Sequence, residues 1–99
     1  MKQSTIVDRL YEAHPDLTKQ QIADSVARIN EEISNALAQG GRVEIRGFGT
    51  FYLSSRAARR IYNPRSREGF MVPGRMVPRF KPGKRLRLKV DGKPAPAGD

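Results

Sequence analysis

Gly40-Gly41-Arg42-Val43-Glu44-Ile45-Arg46-Gly47-Phe48-Gly49-Thr50-Phe51 is the stretch that decides the fold. Before it, apolar residues recur at helical intervals. Within it they recur at every second position, so Val43 and Ile45 share one face of a half-buried strand over 42–46. Glu44 and Arg46 share the opposite face. Gly47-Phe48-Gly49 predicts a turn, after which Thr50-Phe51-Tyr52-Leu53 returns as a second strand. Gly40-Gly41 is the stop signal of a helix, because glycine adopts the left-handed C′ conformation without a Cβ penalty. The chain passes here from a helical half to a sheet half.

Toward the N-terminus, Ile22, Val26, Ile29, Ile33 and Leu37 form one stripe of a long amphipathic helix. Thr18-Lys19-Gln20-Gln21 ahead of it has the spacing of a capping box, with Thr18 at the N-cap and Gln21 at N3. A shorter helix comes first. Ile6, Val7, Leu10 and Tyr11 recur at helical spacing, and Ser4 is its expected cap. His14-Pro15-Asp16 ends it, since a residue before proline is driven out of the helical region. Residues 4–40 therefore read as a helical hairpin.

Toward the C-terminus, the apolar alternation fades beyond Ser54 into Arg56, Arg59, Arg60, Arg65 and Arg67, broken by the turn signal Asn63-Pro64. The segment from about 56 to 74 has too little apolar surface to pack on anything, which predicts a projecting basic β-ribbon arm. Arg75-Met76-Val77-Pro78-Arg79-Phe80 reads as a further strand, at a sheet edge because Pro78 has no N–H to give a ladder. The sheet is thus expected over 42–54 and 75–80. Lys81-Pro82-Gly83-Lys84 leads into a short basic helix over about 84–90, and the Pro/Ala/Gly-rich 91–99 reads as a disordered tail. The fold class is α+β, with a single domain over 1–90.

Charge separates the two halves more sharply than periodicity does. Residues 1–40 carry four basic and six acidic side chains, whereas 41–89 carry fourteen basic side chains against only Glu44 and Glu68. Residues 41–89 therefore carry a net +12, which the rest of the chain brings down to the formal net charge of +9, the asymmetry of a polyanion-binding face. Thirteen of the nineteen cations are Arg, which forks onto phosphates and enters narrow minor grooves. Only 37% of residues are hydrophobic, so the core is thin and an exposed apolar face would favour oligomerisation.

The residues needed for catalysis are scarce. There is no Cys, and His14, the one histidine, stands beside a proline in an expected loop. Glu31 and Glu32 are adjacent on a helix and point apart, and Gly47-Phe48-Gly49 lacks the third glycine of a phosphate loop. The chain is read as no enzyme, with no cofactor, no metal site and no small-molecule substrate. A metal-dependent nuclease is disfavoured because no Asp/Glu/His cluster is in sight. No apolar run approaches the ~18 residues of a membrane span. The start has no signal-peptide core, and the lack of Cys fits a reducing compartment, so a soluble intracellular protein is expected. The run from Arg46 through Leu53 approximates an RNA-recognition motif. Thr50 stands where that motif wants an aromatic, however, and two helices precede the run where that fold needs a strand.

The chain resembles the HU/integration host factor family of bacterial DNA-bending proteins. The resemblance rests on the 40–51 stretch quoted above, then Asn63-Pro64, then Val77-Pro78-Arg79-Phe80-Lys81-Pro82-Gly83-Lys84, and runs from about Lys2 to Val90 without a gap. Within the family, Glu44-Ile45-Arg46 ahead of Gly-Phe-Gly is similar to the beta subunit of integration host factor. The resemblance implies an intertwined dimer with a helical base, a saddle-like sheet and two arms reaching around DNA. It implies that Pro64 intercalates, that Arg46 enters the minor groove with Glu44 as a specificity element, and that Phe48, Phe51 and Phe80 form the core at the dimer interface. Phosphate contacts are implied near Lys2 and Ser4 and at the clamp of Lys81, Pro82, Gly83 and Lys84. Further DNA contacts are expected from Arg42, Arg56, Arg59, Arg60, Tyr62, Asn63, Arg65, Arg67, Arg75 and Arg79. Two departures stand out: Ile61-Tyr62 replaces the usual Gly-Arg before Asn-Pro, and Ser66-Arg67 replaces a following Thr-Gly.

The reading is an architectural protein, cytoplasmic and nucleoid-associated, that bends double-stranded DNA in transcription regulation and recombination. Its partner is a second copy or an alpha-like subunit. Alternatives are an HU-like homodimer with little sequence preference and an RNA-binding basic protein.

Overall fold

The computed structural model describes residues 1–96; residues 97–99, the end of the expected tail, lie outside the described residues. In chain order the elements are α1 (Gln3–Ala13), α2 (Lys19–Ala38), β1 (Val43–Ile45), β2 (Gly49–Arg56), β3 (Arg59–Asn63), β4 (Glu68–Val72), β5 (Arg75–Pro82) and α3 (Lys84–Val90). This is the expected α+β succession of a helical half, an antiparallel sheet and a short last helix. The chain divides into two compact units, Met1–Ala36 and Leu37–Asp99.

In the first unit the capping box forms. Gln21 N–H donates to Thr18 Oγ1 at 3.0 Å, and Thr18 N–H donates to Gln21 Oε1 at 2.9 Å, satisfying two helix-end donors reciprocally. The expected cap at Ser4 does not form. The N-cap of α1 is Lys2, which makes no side-chain cap bond, and its carbonyl accepts from the N–H groups of Thr5 and Ile6. Helical backbone starts at Gln3, so Ser4 is already inside the first turn. Val7 and Ile22 are the only buried apolar residues among those described, while Ile6, Leu10, Tyr11 and Ile29 stay exposed. Polar ties supplement this small core. Lys19 Nζ pairs with Asp8 Oδ1 at 2.7 Å, and Asn30 Nδ2 donates to Gln3 Oε1 at 3.0 Å. The hydrogen bond to Asp8, reinforced by its charge, holds the Lys19 ammonium above the usual lysine value.

In the second unit, β1, β2 and β5 form an antiparallel sheet in the order β1-β2-β5, and β3 pairs with β4 as a two-stranded ribbon bonded to no other strand among the described residues. β5 is an edge, as its proline requires. The register places Val43 and Phe80 beside Phe51, and Pro78 beside Leu53. By alternation, Val43, Ile45, Phe51, Leu53 and Phe80 share one sheet face. Glu44, Tyr52, Arg56, Arg75, Arg79 and Lys81 share the other. β2 runs to Arg56 and β5 to Pro82, each two residues beyond the sequence expectation, because ladder bonds join backbones and need no apolar side chain.

Two glycines shape the β1–β2 connection. Phe48 N–H donates to the Ile45 carbonyl at 3.0 Å, with Gly47 at φ +78°, the left-handed third position of a type II turn. Gly49 is needed for space instead, since a Cβ there would stand 2.5 Å from the Lys81 carbonyl oxygen and 2.6 Å from Phe80 Cζ. Only glycine lets the Phe80 ring lie on this strand. That ring is tilted against Phe48 at 5.1 Å and Phe51 at 4.9 Å between centroids, within the range of favourable aromatic pairs.

Candidate nucleic-acid interface

The alternation that places Phe51 and Leu53 on one face turns four cations, Arg56, Arg75, Arg79 and Lys81, to the other. Apart from Arg85, which has contacts of its own, no cation between 41 and 89 makes a salt bridge among the described residues. Those charges are held toward solvent, where a polyanion can displace their counterions.

At the end of the sheet, a cleft of about 230 Å³ gathers Glu44, Arg46, Gly47, Gly83, Lys84 and Arg85. Arg46 reaches it differently from the expectation. It lies outside β1, in the second position of the type II turn, because the bond from Phe48 to Ile45 closes the chain before the strand can continue. It still meets Glu44 at the cleft, so the expected pair shares a site through a turn rather than a common strand face. Gly83 N–H donates to the Phe48 carbonyl at 2.8 Å and fastens the Lys81-Pro82-Gly83-Lys84 segment beside the turn.

The ribbon is folded at its tip by local hydrogen bonds. Arg67 N–H donates to the Asn63 carbonyl at 2.8 Å, and Arg65 N–H donates to Asn63 Oδ1 at 3.0 Å, an Asx turn that brackets Pro64. Arg67 sits at φ +60°, the one non-glycine residue with positive φ among those described. Pro64, Arg65 and Tyr62 are exposed, Tyr62 at 59%. Tyr62 stands opposite Gly69, and the space a Gly69 Cβ would fill lies 2.7 Å from Arg60 Nε. The Arg60 side chain therefore crosses the ribbon to the strand facing Tyr62. The missing side chain at Gly69 is what admits it.

The structure brings together Glu44 with Arg46 and Lys84, Arg56 with Arg59 and Arg75, and Arg60 with Gly69 beside Tyr62. Arg42 is exposed just ahead of β1. Lys2 and Ser4 belong to the first unit, exposed at the start of α1. Phe48, Phe51 and Phe80 form one ring cluster that a single chain does not bury; Phe48 is 41% and Phe80 37% exposed. Sequence reasoning missed Arg85, which follows the Gly83-Lys84 clamp and lines the same cleft as Arg46; its place directly after that clamp was the available signal.

A sheet with one cationic face, joined to a cationic ribbon tipped by proline, defines a β-ribbon protein that binds a polyanion. Residues 1–91 match the family described as bacterial DNA-binding protein. The chain is 47% identical over 91 residues to integration host factor subunit beta of Herminiimonas arsenicoxydans, covering 92% of this chain and 90% of that one. It is 42% identical to the same subunit of Dichelobacter nodosus, over 92% of this chain and 95% of that one. Among solved structures it is similar to the Anabaena HU–DNA cocrystal structure, with a TM-score of 0.79 at 34% identity over 91% of this chain and 97% of that one. It is also similar to HU from Thermotoga maritima, with a TM-score of 0.64 at 30% identity over 91% and 98%. The chain belongs to this bacterial DNA-binding family of HU and integration host factor, and it is an architectural DNA-binding protein.

Proposed function

We propose that the chain bends duplex DNA from the minor groove, with its ribbon along the groove and Pro64 wedged between base pairs. The observation that carries this reading is the ribbon tip, where an exposed proline is bracketed by Asn63 hydrogen bonds in a turn that bears Arg65 and Arg67, at the end of a strand that bears Arg59 and Arg60. A proline ring is rigid and apolar and has no N–H, so inserting it strands no donor. Unstacking costs a few kcal/mol per step, which wrapping the bent duplex around more cationic surface offsets. Arg46, with Glu44 at the same cleft, reads groove width, in the manner of a beta-type subunit.

The working form is an intertwined dimer, of two copies or with an alpha-like subunit. Supporting this, the Phe48–Phe80 cluster and the apolar residues of α1 and α2 are left open by a single chain. It works on the nucleoid in the cytoplasm, in transcription regulation and recombination, and does no covalent chemistry. The test is the bend angle by fluorescence resonance energy transfer across one end-labelled duplex, with light scattering to confirm the dimer. Pro64→Ala keeps the fold, the dimer and most non-specific affinity while the bend angle falls. An unchanged angle in Pro64→Ala with a collapsed angle in Tyr62→Ala moves the wedge from Pro64 to Tyr62. Unchanged angles in both remove intercalation from the mechanism.

A further inference from the structure

Where the ribbon joins the sheet, an open cleft of about 210 Å³ is lined by Arg56, Ala57, Arg59, Val72, Pro73 and Arg75. Arg56 and Arg75 are directly opposed in the last register pair of β2 and β5. Like charges in that relation are destabilising, so the pair weakens the free sheet. None of the three arginines has an ion pair or a side-chain hydrogen bond among the described residues. Glu68, the one carboxylate within the ribbon, is at its far end opposite Asn63. The crossing of the chain at this root is tight. A Cβ on Gly74 would stand 3.1 Å from the Arg56 carbonyl oxygen and 3.3 Å from the Ala58 nitrogen, so the backbones that carry the arginines are held close.

From this juxtaposition we infer that Arg56, Arg59 and Arg75 converge on one phosphate group seated in the arm-root cleft, instead of neutralising three separate phosphates. Guanidinium forks match phosphate oxygens, and a tetrahedral anion offers oxygens in several directions, so three forks can share it. The anion also removes the repulsion between Arg56 and Arg75. In the DNA complex the occupant is one backbone phosphate, which fixes where the duplex crosses from sheet to arm; this part rests on the DNA-bending reading above. In the free protein, inorganic phosphate fills the same seat.

Two measurements test the seat and its occupant separately. In the first, inorganic phosphate is titrated into the DNA-free protein at constant ionic strength while the guanidinium Nε–H signals of the three arginines are followed by NMR. All three should move along one saturating curve, and chloride should not reproduce it. The Arg56→Lys/Arg59→Lys/Arg75→Lys variant has no such guanidinium signals, so both proteins are also followed through the backbone amides of Ala57 and Val72, which line the same cleft. The variant keeps charge and fold but should lose the saturating response those amides show in the wild type. In the second, duplex affinity is measured against salt for the wild type and the Arg56→Ala/Arg59→Ala/Arg75→Ala variant. One shared phosphate reduces the log–log slope by about 0.9, and three separate ones by about 2.7. A loss near 2.7, a response without saturation, or a lysine variant that responds like the wild type overturns the seat. A wild-type slope near zero instead overturns the DNA reading, and the phosphate titration alone then decides the seat.

Discussion

Gly49→Ala tests the packing that holds the sheet together. The added Cβ would sit 2.5 Å from the Lys81 carbonyl oxygen, where ordinary contact begins at 3.4 Å, so something must retreat by roughly 0.9 Å. Neither neighbour is free to do so. The carbonyl belongs to β5, which is paired with β2 at Thr50↔Lys81 and Gly49↔Pro82, and the Phe80 ring is set against both Phe48 and Phe51. Forcing atoms into such a site costs about 1–3 kcal/mol. At the middle of that range, about 2 kcal/mol, the melting temperature of a domain this size falls by about 8–16 °C. Gly40→Ala is the control. At φ +84° with nothing within 4 Å, it carries backbone strain of about 1 kcal/mol and no clash. Both variants are melted by circular dichroism at one protein concentration, because oligomer stability depends on concentration. If Gly49→Ala melts no lower than Gly40→Ala, β5 does not press on Gly49, and the packing assigned to Phe80 is wrong.

At the ribbon tip, Arg67→Gly removes a left-handed non-glycine residue, and the relief of about 1–2 kcal/mol is partly offset by the entropy of glycine. A net gain of about 0.5–1 kcal/mol should slow exchange of the residue-67 amide with solvent about two- to fivefold, and faster exchange would contradict the strain assignment. Arg46→Ala should narrow the affinity gap between preferred and random duplexes by about tenfold, within the ~1–3 kcal/mol of a good base contact, while non-specific binding changes little. Equal loss on all sequences would make Arg46 a phosphate contact and favour an HU-like protein with little preference.

Local signals survived translation into structure. The Thr18–Gln21 capping box, the left-handed Gly40 and Gly47, the edge position of Pro78 and the turn at Asn63-Pro64 each depend on residues a few positions apart, so the sequence displays them directly. What failed to show depends on distant partners or on backbone hydrogen bonds that no side chain announces. Gly49 looks like a turn residue until Phe80 and Lys81 are seen against it. Ser4 has the right chemistry for a cap, but helical backbone begins at Gln3, and no side-chain pattern announces that earlier start. Arg46 alternates like a strand residue although a hydrogen bond two residues later turns the chain there. The convergence of Arg56, Arg59 and Arg75 needs the ribbon to fold back, which composition registers only as charge.

Gly47 and Gly49 also govern which surface is offered to DNA. Side chains alternate across a strand, so a one-residue slip of β2 between its neighbours would send Phe51 and Leu53 to the cationic face, beside Arg79 and Lys81, and Tyr52 and Arg56 to the apolar one, beside Phe80. Neither face is deeply buried in the single chain, so burial alone specifies the register weakly. The type II turn at Gly47 fixes Ile45 opposite Gly49, and the contact of Gly49 with Phe80 and Lys81 fixes β5 in turn. Two residues with no side chain to offer DNA thereby set the phase of the whole sheet, and with it the cations proposed to meet the duplex. Substitution at either one should disturb DNA binding through register, with every cation still present in the chain.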